Sequence, residues 1–329
     1  MTSVFFSHLV LGVGLGCIAL TIGCMVDHKR WRAYAPYLFG AAIVFTTLVF
    51  IPHIGAEHGG GRRWISLAGL SFQPSETLKL ATIIFASAYF VMIGSGVRSL
   101  LHGVGGFLAI VAVPSILLVL QPDIGTLGVI IIATLAIFVA AGARLHHIGI
   151  LFLVALCFIT ILSLSKPYIR DRVTTFFAPS HGVQAEGYQI RQSLIAIGSG
   201  QLLGRGFGQG IQKFTYLPEP MGDSIFAVAA EELGFVGAVS IVLGFLFFGL
   251  RGFYVAARAA DPFGRYLAVG ITTYLVIEAF INIASMTGIA PLTGIPLTFV
   301  SQGGSAMLMS LASAGILIGI SRRKAARSV

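Results

Sequence analysis

Ten charged side chains collect between Lys166 and Asp223 in a chain where only 10% of residues are Asp, Glu, Lys or Arg: Lys166, Arg170, Asp171, Arg172, Glu186, Arg191, Arg205, Lys213, Glu219 and Asp223. The segment closes with Tyr216-Leu-Pro-Glu-Pro-Met-Gly-Asp-Ser-Ile-Phe226, so the carboxyl of Asp223 stands just ahead of a long apolar run. A carboxyl in that position suits two tasks. It can accept backbone N–H groups as a helix N-cap, or it can take and return protons as a catalytic acid or base. A polar stretch of this size hung among apolar ones points to chemistry.

Further polar motifs flank the apolar runs. Gly59-Gly-Gly-Arg-Arg-Trp-Ile65 groups Arg62, Arg63 and Trp64. That triplet reads either as an anchor in a lipid headgroup layer or as a diphosphate clamp, since guanidinium groups hold phosphate oxygens bidentately. In Phe72-Gln-Pro-Ser-Glu-Thr-Leu-Lys79, Pro74 suits a first helical turn with Gln73 or Ser75 near the cap. Glu76 and Lys79 are three apart on that helix and close enough to pair. The pair is either architectural or turned into a cavity, because charge inside a bilayer is costly. Gln121-Pro-Asp-Ile-Gly-Thr126 is a tight turn whose Asp123 serves the turn or caps a helix, or else faces the same cavity.

Gly187-Tyr-Gln-Ile-Arg-Gln-Ser-Leu-Ile-Ala-Ile-Gly198 is amphipathic and too short to span a bilayer, so it lies on or dips into one. The glycine-rich stretch Gly198 to Gly210 follows, without the G-x-G-x-x-G spacing or the preceding strand of a nucleotide-binding loop. Its glycines suit tight turns and close backbone approach. From Asn282 to Ser305 the chain carries Pro291, Thr293, Pro296, Ser301, Gly303, Gly304 and Ser305 at the edge of its last apolar run. Such an interruption survives at membrane depth where it is packed in protein or lines a cavity. Glu278, with Asn282 four residues on, adds an inward polar stripe.

The elements that position these groups are apolar helices. Apolar residues make up 56% of the 329, and the mean hydropathy is +0.93. Nine stretches approach the roughly 20 residues a span requires: about 5–26, 34–52, 76–94, 104–120, 124–141, 147–165, 224–250, 266–286 and 299–320. Their length and uniformity favour helices over barrel strands. Phe5 to Val26 lacks the basic start and the small-residue cleavage site of a signal peptide and reads as a retained span.

Twelve of the 21 basic residues fall in alternate loops and the C-terminus: Lys29, Arg30, Arg32, Arg98, Arg144, Arg251, Arg258, Arg265, Arg322, Arg323, Lys324 and Arg327. By the positive-inside rule these are cytoplasmic, which puts 53–75, 121–123, 166–223 and 287–298 on the other side, together with the N-terminus. The net charge of +9 is therefore a topology signal and not a nucleic-acid footprint. Cys17, Cys24 and Cys157 all lie in apolar runs and form no disulfide or metal pattern.

In this order the motifs resemble the SEDS family (shape, elongation, division and sporulation), the FtsW/RodA polymerases of bacterial cell-wall synthesis. The strings are Gly61-Arg-Arg-Trp-Ile65, Phe72-Gln-Pro-Ser-Glu76 with Lys79, Gln121-Pro-Asp-Ile-Gly-Thr126, Gly187-Tyr-Gln and Ser193-Leu-Ile-Ala-Ile-Gly-Ser-Gly200. They continue as Gln212-Lys-Phe-Thr-Tyr-Leu-Pro-Glu219, Asp223, Glu231-Glu-Leu-Gly234 and Thr287 through Ser305, and so cover nearly the whole chain. Gln-Lys with Tyr-Leu-Pro-Glu, and Arg191-Gln-Ser-Leu, look more like the division (FtsW) branch than the elongation (RodA) branch. The family normally has ten spans, and this chain begins at the second. Where the family has His-Thr-Asp-Phe, this chain has Met221-Gly-Asp-Ser224.

The resemblance implies an all-α polytopic membrane protein, one membrane domain over 1–329 in the bacterial cytoplasmic membrane. It would carry a large extracytoplasmic loop, 166–223, with short or re-entrant helices. The implied substrate is lipid II, a disaccharide-pentapeptide on undecaprenyl diphosphate, polymerised into β-1,4 glycan. Asp223 becomes the general base. Arg62, Arg63, Trp64, Lys79, Arg191, Arg205, Glu219, Ser301 and Ser305 become substrate contacts, while Glu76, Asp123, Glu278 and Asn282 hold the cavity. No ligand cluster demands a metal, although a divalent cation such as Mg could share the diphosphate. A class B penicillin-binding protein is the implied partner. A lipid II flippase is the rival reading, opposed by the lack of an internal repeat and by odd residues gathered at one face; a non-catalytic scaffold leaves the acids unexplained.

Overall fold

The computed structural model describes residues 8–58, 61–67, 70–177 and 184–323. Eight of its helices are long and apolar enough to cross a membrane: α1 (His8–Met25), α2 (His28–Phe50), α3 (Pro74–Arg98), α4 (Leu100–Leu120), α6 (Leu145–Ser165), α10 (Ile225–Ala257), α11 (Pro262–Met286) and α12 (Gly304–Arg322). The ninth expected span is α5 (Ile124–Ala140), apolar throughout but only 17 residues long. The polytopic helical class read from the sequence therefore holds. Between α6 and α10 lie three shorter helices, α7 (Pro167–Phe177), α8 (Gln184–Ser199) and α9 (Gln212–Thr215).

Helix starts follow local chemistry. Pro74 opens α3 where its missing N–H costs nothing. Asp27 caps α2 by accepting the Lys29 N–H at 2.9 Å. Asp123 caps α5 by accepting the Thr126 N–H at 3.3 Å. Helix α10 begins at Ile225, so the position before it is Ser224, and Asp223 stands one residue earlier.

One feature of the loop before α3 escaped the hydropathy pattern. Gly55–His58 (β1), Gly61–Leu67 (β2) and Leu70–Phe72 (β3) form an antiparallel three-stranded sheet in the order β1-β2-β3. The register pairs Ala56 with Trp64 and Ile65 with Phe72, with a bulge at Ala56/Glu57. The register runs from Ala56 with Trp64 to Glu57 with Arg62, so Arg63 is the extra residue on β2 and the alternation of faces is interrupted there.

The chain divides into two compact units, residues 1–144, 248–277 and 302–329 in one, and 145–247 and 278–301 in the other. Within the first, α1 packs on α12 and α3 on α2 and α5. Helices α1 and α12 meet through small residues: a Cβ on Gly315 would lie 2.2 Å from the Leu20 carbonyl oxygen, and one on Gly23 would lie 2.9 Å from the Ile316 nitrogen. At one end of this unit, His28 on α2 hydrogen-bonds the Asp261 carboxylate ahead of α11, and Arg323 lies 3.3 Å from Asp27. Burial pushes the Asp261 carboxyl up, but the hydrogen bonds from His28 and the Gly264 N–H outweigh it and hold the group below the usual range. The second unit has its own core of Ile190, Phe226, Phe245, Ala279, Ile283, Met286, Leu292 and Leu297.

Candidate active site

The backbone around Asp223 is held from three directions within the second unit. Ser301 Oγ donates to the Gly222 carbonyl at 2.7 Å, and also accepts the Leu297 N–H at 2.7 Å. Asn282 Nδ2, near the end of α11, donates to the carbonyls of Asp223 and Ile295, both at 2.7 Å. Gln189 on α8 donates to Ser224 Oγ at 3.0 Å, which in turn donates to the Pro218 carbonyl at 2.8 Å. Glu219 closes the turn with φ at +45° while accepting the N–H groups of Gly222 and Ser224. The Asp223 side chain itself is half-buried and lies against Gly294, where a Cβ would come within 3.5 Å of Asp223 Oδ2. A carboxylate on a backbone pinned this way is pre-organised, and most of the geometry a base requires is set before substrate arrives.

Asn282 Oδ1 is buried and has no hydrogen-bond partner among the described residues. Asn282→Leu removes both tethers in one step, and each lost bond leaves a carbonyl unsatisfied at about 1–3 kcal/mol. Turnover in a lipid-substrate assay is expected to fall at least tenfold, with the folded protein still recoverable in detergent. Unchanged turnover would show that Asp223 does not need that support.

The glycine-rich stretch is anchored by two acids whose importance has no local sequence signal. Glu231 is fully buried and accepts the Ile211 and Gln212 N–H groups at 3.0 and 3.2 Å. Glu232 accepts the Lys213 ammonium at 2.5 Å and the Gly208 N–H at 2.9 Å. A Cβ on Gly210 would lie 3.0 Å from Glu231 Oε2 and 3.1 Å from Glu232 Oε1, so a larger residue there would crowd both side chains.

In the first unit the motifs at the start of α3 and α5 form a buried polar group. Lys79 Nζ lies 2.9 Å from Glu76 Oε1 with both side chains 2% exposed, and 5.1 Å from the centre of the Tyr274 ring. Asp123 Oδ2 accepts from Gln73 at 3.2 Å and Ser75 at 3.3 Å. Arg63 Nε donates to the Gln121 carbonyl at 2.9 Å and its Nη2 to the Pro122 carbonyl at 2.5 Å. Arg63 ties the sheet to the turn before α5, Lys79 is buried in an ion pair with Glu76, and Ser301 bonds to backbone on both sides.

The remaining candidates divide by exposure. Arg62, Arg191, Arg205 and Glu219 are exposed, and Trp64 is partly so. Arg191 Nε donates to the Gly187 carbonyl one turn back at 3.2 Å, and Arg205 Nε lies 3.7 Å from Glu231. Glu278 is buried on α11 one turn before Asn282. Ser305 is buried with an unpartnered Oγ near the start of α12 and belongs to the first unit, not to that of Asp223. Among the described residues no three His, Cys, Asp or Glu side chains group to hold a metal.

Comparison with known proteins places these residues in context. The family model described as "Cell cycle protein", covering FtsW, RodA and SpoVE, matches residues 1–326. The stage V sporulation protein E of Bacillus subtilis is 39% identical over 97% of this chain and 87% of its own. A probable peptidoglycan glycosyltransferase FtsW of Geobacter metallireducens is 38% identical over 94% of this chain and 82% of its own. A chain in the structure described as "Structural coordination of polymerization and crosslinking by a peptidoglycan synthase complex" matches with a TM-score of 0.80 and 25% identity, covering 97% of this chain and 89% of that one. The fold is also that of the Thermus thermophilus rod shape determining protein RodA, at a TM-score of 0.70 and 24% identity over 96% of this chain and 87% of that one.

Proposed function

Because the chain belongs to the FtsW/RodA/SpoVE family of cell cycle proteins, we propose a course for its reaction that starts from the carboxylate of Asp223. The protein is a peptidoglycan glycosyltransferase. Its substrate is lipid II, and its work is septal wall synthesis, the branch favoured by its FtsW-named relatives.

A sugar hydroxyl of one lipid II molecule attacks the anomeric carbon of a second. The C–O bond to the diphosphate breaks with its electron pair leaving on the phosphate, a β-1,4 linkage forms, and the hydroxyl proton passes to Asp223. One placed base suffices for this inverting displacement, together with positive charge at the leaving group. Arg191 and Arg205 are two of the exposed cations in the same unit as Asp223, beside Lys166 and Arg170, and are assigned to the diphosphate. Arg62 and Trp64 offer a second exposed basic and aromatic pair, on β2.

The observation that supports this reading best is the clamp on residues 222–224 by Ser301, Asn282 and Gln189. The basic loops then put the C-terminus in the cytoplasm and Asp223 on the far side of the membrane, where the sugars of lipid II are presented. Crosslinking the strands calls for a class B penicillin-binding protein as partner.

Purified protein given labelled lipid II, with and without a cognate transpeptidase, is expected to yield a ladder of glycan strands. Transbilayer movement of the labelled lipid in liposomes without any polymer would replace this reading with transport.

A further inference from the structure

We infer that the glycine-rich loop from Gly200 to Gly210 rides in the bilayer surface on the Asp223 side, with Leu203 and Phe207 seated in lipid hydrocarbon. The inference rests on the membrane setting of α10 and not on the reaction proposed above.

Helix α10 runs 33 residues, more than the roughly 20 that a bilayer requires. It is broken at Gly234, whose φ of +69° and ψ of −168° are not helical. About 20 residues counted back from Arg251, which the charge pattern puts in the cytoplasm, reach to about residue 231. The break at Gly234 therefore lies within one turn of the outer end of the crossing segment.

The groups it frees are taken up by the loop. Arg205 and Gly206 donate their N–H groups to the carbonyls of Glu231 and Glu232 at 3.0 and 3.1 Å, while Phe235 and Val236 donate to the carbonyls of Gln201 and Leu202 at 2.8 and 3.2 Å. Unpaired backbone groups near hydrocarbon cost several kcal/mol, so loop and break are held at one depth. The fit is close: a Cβ on Gly234 would lie 2.3 Å from the Gly204 nitrogen.

From that depth the loop presents bulky apolar side chains outward. Leu203 is 82% exposed and Phe207 is 88% exposed, with Leu202 also exposed. The backbone bonds from Phe235 and Val236 to Gln201 and Leu202 join the loop to the break, where Leu233, Phe235 and Val236 are exposed, and the exposed stripe continues down α10 through Leu243, Leu246, Phe247 and Leu250. A stripe continuous with a membrane-crossing face has hydrocarbon as its natural occupant. Arg205 and Lys213, tied to Glu231 and Glu232, supply the polar side that belongs at the headgroup layer.

The test uses the full chain in liposomes with Cys17, Cys24 and Cys157 replaced by Ala and a nitroxide placed at Phe207→Cys or, separately, Leu203→Cys. Phe247→Cys in mid-span and Met221→Cys in the polar turn serve as references. Relaxation by oxygen is expected to exceed relaxation by a water-soluble nickel complex at positions 203 and 207, as at 247, and the order is expected to invert at 221. Nickel access at 203 and 207 equal to that at 221 would overturn the inference and free the loop for a protein partner. Protection from both reagents would overturn it as well, by showing the loop covered by protein.

Discussion

Asp223→Asn is expected to reduce glycan polymerisation by about 10²–10⁴-fold, the range a positioned base contributes. The substitution keeps the volume beside Gly294 and all three backbone tethers, because Asn282, Ser301 and Gln189 bind the main chain or Ser224 and not the Asp223 carboxyl. Thermal unfolding of the purified variant should therefore match the parent while lipid II turnover is lost. Asp223→Glu separates charge from placement: it restores a carboxylate but moves it by one methylene, and turnover should stay well below the parent. Normal polymerisation by purified Asp223→Asn would remove the residue from the reaction.

The second large effect concerns stability. Lys79→Met leaves the Glu76 carboxylate buried without the ammonium 2.9 Å away, and Glu76→Gln takes that carboxylate's charge from beside the buried ammonium. Breaking one side of a buried pair costs about 3–5 kcal/mol, whereas replacing both partners by apolar residues of similar size is often close to neutral. Each single variant should thus show a markedly lowered Tm, and Glu76→Leu with Lys79→Met should recover most of it. The double variant also separates architecture from catalysis. If it refolds and polymerises, the pair only holds α3 in place; if it refolds and is inactive, the ion pair has a task in the reaction. A single variant with unchanged Tm would contradict the burial.

How much of this was legible beforehand depended on distance along the chain. The pairing of Glu76 with Lys79 and the opening of α3 at Pro74 follow from spacing within one helical turn, and both stand in the structure. Asp123 was placed among turn, cap and cavity, and it caps α5 while accepting from Gln73 and Ser75. Composition shows that Arg63 is a cation but not what it binds, carbonyls about sixty residues away. The sheet of β1, β2 and β3 leaves no mark on hydropathy, because a window there sees polar residues and not the pairing of Gly61–Leu67 with the strands on either side.

The sequence by itself determined the spans, since the length and apolarity of a segment are properties of the segment alone. It also determined the family, through motifs spread over nearly the whole chain. Which polar groups are spent on holding the fold was decided only in three dimensions. Asn282 reaching the Asp223 carbonyl, Ser301 reaching Gly222, and the loop at Gly200 to Gly210 filling the break at Gly234 all join residues far apart in sequence. Buried backbone groups must find partners wherever the fold brings them, and nothing in the spacing of the chain says which partners those are.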